Sequence, residues 1–239
     1  MNKRINSIVV GVLVFALNSS AIADGSVIDK VYHPYVELLE WEIEWRMIYE
    51  QAGTTKSESH NQVHRLGVGK ALSEFVFAEV YLIGERSNDN SLDIDAYEFE
   101  LMWQLSEQGE YALDYGLLFE VEHESDEDIW EYATALLLEK EFGRYSVTAN
   151  LAVIYERGDS IRNEWESAAS LQARYRYSQR FEPAIEAYFG EDTQAIGPVF
   201  LGLERLGNAT ALRWEAGIVF GLDNETPDYT VRAVLEYEF

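Results

Sequence analysis

The chain has 239 residues, no cysteine, and 43 acidic against 18 basic residues, for a formal net charge of −25. The lack of cysteine excludes a disulfide scaffold or a thiolate metal site, and the acidity excludes nucleic acid as a partner. Strong acidity usually reads as disorder, but disordered chains are aromatic-poor; aromatic residues make up 13% here, so an ordered structure must hold them.

The first residues have the form of a secretory signal peptide. Lys3 and Arg4 precede the apolar run Ile8 to Leu17, and Ala21-Ile22-Ala23 supplies a small-x-small cleavage site. Removal of residues 1–23 leaves about 216, which suits one barrel domain. The apolar run is too short for a spanning helix of about 20 residues, and no later stretch is longer. Residues 24–35 are expected to form a periplasmic N-terminal segment, either hanging free or entering the interior as a plug. His33-Pro34-Tyr35 closes it, with the proline where no ladder bond is lost.

From Val36 to Phe239 the sequence keeps returning to period-two alternation, the mark of strands. Trp41-Glu42-Ile43-Glu44-Trp45-Arg46-Met47 is the clearest run, and Tyr229, Val231, Ala233, Leu235, Tyr237 and Phe239 are in step in the last. Twelve strands are expected, near 36–50, 62–72, 74–84, 93–105, 111–122, 130–140, 145–156, 164–177, 181–190, 195–205, 211–222 and 229–239. In 74–84 both faces are apolar, so its orientation is open. Short turns (106–110, 141–144, 178–180, 207–210) alternate with longer polar loops (51–61, 85–92, 123–129, 157–163, 223–228). Segments of about ten residues with that alternation of loops fit a closed antiparallel transmembrane β-barrel, with short turns in the periplasm and longer loops outside.

A soluble sandwich also alternates. Against it, aromatics gather at strand ends: Trp41, Trp103, Tyr145 and Tyr237 toward one mouth, Trp130, Tyr155, Trp165 and Phe220 toward the other. Headgroup boundaries favour such girdles. The ending on Phe239, with Tyr237 two residues before it, resembles the C-terminal assembly signal of bacterial outer-membrane barrels. That resemblance implies the outer membrane as location, with lipid, lipopolysaccharide and the barrel-assembly machinery as partners. In size the chain resembles the small twelve-stranded monomeric porins, such as the oligogalacturonate-specific family, whose lumen is basic.

If apolar faces meet lipid, the other faces line the interior. The expected lumen set comprises Glu42, Glu44, Arg46, Glu98, Glu100, Asp114, Glu120, Glu131, Glu166, Arg174, Arg176, Glu186, Arg213, Glu215, Arg232 and Glu236. Glu204, Phe77, Tyr81, Tyr188 and Phe200 are further candidates for inward positions. So many carboxylates need water, because burying each ion dry costs several kcal/mol. A wet acidic tube concentrates cations, which predicts a cation-preferring channel for ions or small cationic or neutral solutes. The alternative is a barrel whose Glu and Arg side chains pair across the lumen and plug it.

No catalytic set and no cofactor is expected. His60, His64 and His123 lack the serine and amide neighbours of an outer-membrane phospholipase, and Asp93, Asp95, Glu122 and His123 could form a protease-like rim. His60, His64, His123 and Glu124 could gather a transition metal, and the acidic loops with Asp89, Asp126, Glu127, Asp223 and Asp228 could bind divalent ions. Solvated loop charge is the simpler reading of both.

Overall fold

The computed structural model describes residues 27–37, 41–51, 60–86, 92–125, 128–159, 161–207 and 210–239. The signal peptide, and the loop acids Asp89, Asp126 and Glu127, lie outside the described residues.

The strands are β1 (Trp41–Gln51), β2 (His60–Ala71), β3 (Val76–Arg86), β4 (Asp93–Gln104), β5 (Asp114–Glu124), β6 (Ile129–Phe142), β7 (Tyr145–Gly158), β8 (Glu164–Tyr175), β9 (Glu182–Phe189), β10 (Gln194–Gly207), β11 (Thr210–Gly221) and β12 (Tyr229–Glu238). Each pairs antiparallel with its neighbours in sequence, and β12 returns to β1 to close a twelve-stranded barrel. Closure leaves no open edge, which is what hydrocarbon demands of a spanning sheet. The seam ends on a reciprocal pair: Phe239 N–H donates to the Trp41 carbonyl at 2.9 Å, and Trp41 N–H to the Phe239 carbonyl at 3.1 Å. The expected all-β closed barrel is therefore the fold found.

Two strands start three or more residues later than expected. β1 begins at Trp41 rather than 36, and Val36 instead gives its N–H to the Gln104 side chain at 2.8 Å. β5 begins at Asp114 rather than 111, so the connection before it spans 105–113 and is longer than the other turns of that mouth.

Strand parity separates two chemistries. Leu66, Val80, Phe99, Leu151, Val153, Ile185 and Leu235 point outward and are exposed, Val80 at 55%. Inward lie Glu44, Arg46, Glu139, Glu186 and Arg232, all fully buried. A water-soluble protein does not present so continuous an apolar surface; a bilayer receives it. The orientation of β3 is now settled: Phe77, Glu79, Tyr81 and Ile83 face in, while Val80 and Leu82 face out. Gly67 on β2 makes room for this inner layer, since a Cβ there would come within 2.5 Å of the Tyr81 ring.

β10 corrects two expectations. Its inner face is Ala195, Gly197, Val199 and Leu201, so Phe200 is turned outward and 40% exposed. Glu204 shares that outer parity and meets Arg180 at 2.9 Å near the periplasmic turn. The reason lies in the interior: Ala195 packs with Tyr188 and Val219 around Ile28 and Val31. This part of the wall is apolar inside because it receives the Ile28 and Val31 side chains.

Candidate functional site: an acidic lumen threaded by the N-terminal segment

Every residue of the expected lumen set faces the interior. Glu42, Glu44, Arg46, Glu98, Glu100, Asp114, Glu186, Arg232 and Glu236 are buried. Glu120, Glu131 and Glu166 line an outer chamber, and Arg174, Arg176, Arg213 and Glu215 line a periplasmic one. The aromatic partners of the chain end do the reverse: Tyr237 and Phe239 stack at 5.6 Å on the lipid-facing side.

Of the two courses open to the N-terminal segment, the structure shows the inner one. Residues 27–37 run up the lumen, with Val36 near the foot of β4 and Val27 against Gly190 between β9 and β10. Each step is bonded to a different part of the wall. Ile28 and Val31 are buried on β9, β10 and β11. Asp29 accepts from Arg46 Nη1 at 2.5 Å and lies 3.9 Å from Arg65. Lys30 Nζ donates to Glu44 at 2.5 Å and Glu236 at 3.3 Å. Asn150 clamps the Tyr32 backbone, accepting from its N–H and donating to its carbonyl, both at 2.8 Å. The Tyr32 hydroxyl donates to Glu100 at 2.5 Å, and His33 Nδ1 lies 2.5 Å from Glu139. Pro34 packs on Gly116, and the Tyr35 hydroxyl donates to Asp114 at 2.9 Å.

Burial by itself would raise the Asp29 carboxyl, but Arg46 and Arg65 outweigh it and hold the group below its ordinary 3.8. Burial works against the charged Lys30 as well, and Glu44 and Glu236 more than reverse it, lifting the ammonium well above its usual range. The segment is thus fixed by full charges, which are the strong kind of hydrogen bond.

The wall behind it is a set of ion-pair networks. Arg46 also donates to Glu44 at 2.7 Å and to the Tyr81 hydroxyl at 3.1 Å. Arg232 joins Glu186 at 2.6 Å and Glu215 at 2.8 Å. Arg174 lies between Glu139 at 3.6 Å and Glu182 at 3.5 Å, and Arg176 meets Glu141 at 2.6 Å. Arg213 pairs with Glu37 and Glu238, and Arg65 with Glu98. These account for the basic side chains but not for all the acids.

Register shows where the acids gather. Glu98, Glu122, Glu131, Glu156 and Glu164 are direct cross-strand neighbours on β4 through β8. Like charges facing each other across a ladder are destabilising, so such a row needs water or cations. The segment borders both chambers, an outer one of 180 Å³ and a periplasmic one of 520 Å³.

His64 and His123 do not converge, and the side chain of His60 lies outside the described residues. His64 stacks on Trp45 at 5.9 Å, and His123 packs on Trp130 at 4.3 Å with Asp128 at 3.0 Å. Odd and even parity turn both away from the lumen, on strands three apart. Asp223 satisfies its own loop, accepting from the Thr226 N–H at 2.9 Å. Among the described residues the metal-capable grouping is Glu98, Glu100 and Glu120, whose carboxylates come within 4.8 Å of one another. Arg65 and the Tyr32 hydroxyl already occupy two of those carboxylates.

Missed from sequence were Asp29, Lys30, Tyr32, His33, Tyr35 and their receivers Gln104 and Asn150. Their partners lie on distant strands, and no local spacing signals such contacts.

No family model and no curated relative matches the sequence. Among solved structures the chain is similar to an outer membrane channel from Pseudomonas putida F1, with a TM-score of 0.57 at 13% identity over 90% of this chain and 98% of that one. It is similar to the KdgM porin in complex with disordered oligogalacturonate, at 0.52 and 10% identity over 83% of this chain and 98% of that one. A third is the transport unit of the autotransporter AIDA-I from Escherichia coli, at 0.52 and 8% identity over 90% and 94%. The fold is that of an outer-membrane barrel of the porin and channel kind. With its apolar outer wall and charged interior, this porin-like barrel resides in the outer membrane.

Proposed function

We propose that the porin-like barrel is a cation-preferring channel for ions or small cationic or neutral solutes, with Glu42, Glu44, Glu98, Glu100, Asp114, Glu120, Glu131, Glu166, Glu186, Glu215 and Glu236 on the cation pathway. Arg46, Arg213 and Arg232 hold Glu44, Glu236, Glu186 and Glu215 in place, and Arg174 and Arg176 line the same pathway beside Glu139, Glu141 and Glu182. The single observation behind this reading is the glutamate row from β4 to β8, in which carboxylates face one another across four successive strand pairs and Arg65 meets Glu98 and Glu122. Carboxylates between low-dielectric walls focus a negative potential and draw in cations.

The threaded segment supports a second reading, a plugged barrel that anchors loops or partners. Its bonds run nearly the length of the lumen. Single-channel recording in a planar bilayer under a KCl gradient separates the two. A potassium-selective reversal potential supports the channel; no current at all, or chloride preference, rules it out. Lipopolysaccharide around the outer girdle and the assembly machinery at Tyr237 and Phe239 are the partners this reading carries.

A further inference from the structure

The register of β5 to β8 stacks three unlike rows on one wall of the outer chamber. The outermost is Glu122, Glu131, Glu156 and Glu164. One step inward come Glu120, Ala133, Ile154 and Glu166, with carboxylates at the two ends and apolar groups between. Below them lie Leu118, Ala135, Ala152 and Ala168, without a polar side chain. Apart from Glu164, all of these line the same cavity of 180 Å³.

We propose that this wall is a binding site for a small aliphatic ammonium ion, with its charge among the carboxylates and its alkyl chain on the Leu118–Ala168 floor. The proposal rests on the channel reading in that both use the same acidic vestibule. Among the described residues, no basic side chain forms an ion pair with Glu120, Glu131 or Glu166. Glu98 lines the chamber too; it is 5% exposed, one oxygen meets Arg65, and its buried Oε1 has no hydrogen-bond partner. A donor is missing there, and an ammonium supplies three.

The floor decides between an inorganic and an organic cation. A hydrated metal ion wants oxygen ligands, and four apolar side chains offer it none. Methylene groups gain from that contact. Glu120 and Glu166 sit three strands apart, about 14 Å along the sheet, with only Ala133 and Ile154 between them. The cavity is below the roughly 300–1,000 Å³ of drug-sized pockets, so the ligand is small.

The test is titration calorimetry of the full-length barrel in detergent at pH 7 and low salt, with methyl-, propyl- and pentylammonium chloride. Affinity should tighten about fourfold per added CH₂ on the apolar floor. The isosteric pair Glu120→Gln and Glu166→Gln should weaken every amine at least tenfold. Equal affinity across the series, equal competition by sodium, or indifference to the double variant overturns the proposal. The wild-type series needs no variant to fold. Amines that bind in this order to a barrel carrying no current would leave the site standing and remove the channel reading.

Discussion

Asp29 and Arg46 tie the N-terminal segment to the first strand: Arg46 Nη1 donates to Asp29 Oδ2 at 2.5 Å, while the same guanidinium holds Glu44 at 2.7 Å. Arg46 is 1% exposed and Glu44 fully buried, so neither can turn to water. Removing the cation leaves Asp29 with only the 3.9 Å approach of Arg65 and Glu44 with Lys30 alone.

Arg46→Met should therefore destabilise the folded barrel by about 3–5 kcal/mol, the cost of leaving a buried ion without its partner. Guanidinium unfolding in detergent reads the shift. Asp29→Asn should cost less, because Glu44 keeps Lys30 and Arg46, and it should free the segment rather than the wall. Equal losses in the two variants would contradict this division.

Acid should release the segment before it melts the barrel. The Asp29 carboxyl sits below its ordinary 3.8 because Arg46 and Arg65 outweigh its burial. A depressed pKa gives stability that is full above the ordinary value and drains away as pH falls through the depressed one. Amide exchange at Ile28 to Tyr32 should stay slow at pH 5 and quicken only below about pH 4. Quickening already at pH 6 would assign the anchor to some other group.

Much of the wall could be read from the sequence, because a strand buries one face and the period of two states which. Glu42, Glu44 and Arg46 alternate with Trp41, Ile43 and Trp45, and the inner set followed directly. Parity misleads on β10, where the rule that polar residues face the lumen turns Glu204, and Phe200 in step with it, inward. That rule assumes a wet interior at every height. Here Ala195 and Val199 face inward instead, and Ala195 meets Ile28 and Val31 with Val219 and Tyr188. The plug could not be read from spacing, since Asp29, Lys30 and Tyr32 find partners on β1, β2, β4, β7 and β12.

Asn150 gives a cleaner handle on the plug than any charge. Its amide makes both bonds to the Tyr32 backbone at 2.8 Å and another group, the Ser170 hydroxyl, donates to it at 3.2 Å. Asn150→Ala removes two bonds worth about 0.5–1.5 kcal/mol each. Exchange at the Tyr32 amide should quicken roughly ten- to a hundredfold, with the strand amides of β6 and β7 unchanged. If those strands loosen as well, the segment and the wall form one cooperative unit.

Phe239 separates assembly from stability. Its backbone closes the seam with Trp41, while its ring stacks on Tyr237 toward lipid and is 49% exposed. Phe239→Ala keeps the reciprocal backbone pair and loses only an outward ring, so refolded barrel in detergent should melt within a few degrees of wild type. If the ring is read by the assembly machinery, the amount of folded barrel reaching the outer membrane in cells should fall several-fold. Heat-modifiable mobility on gels reads both. A variant that melts early in detergent but inserts normally would make the ring a structural element and not a signal.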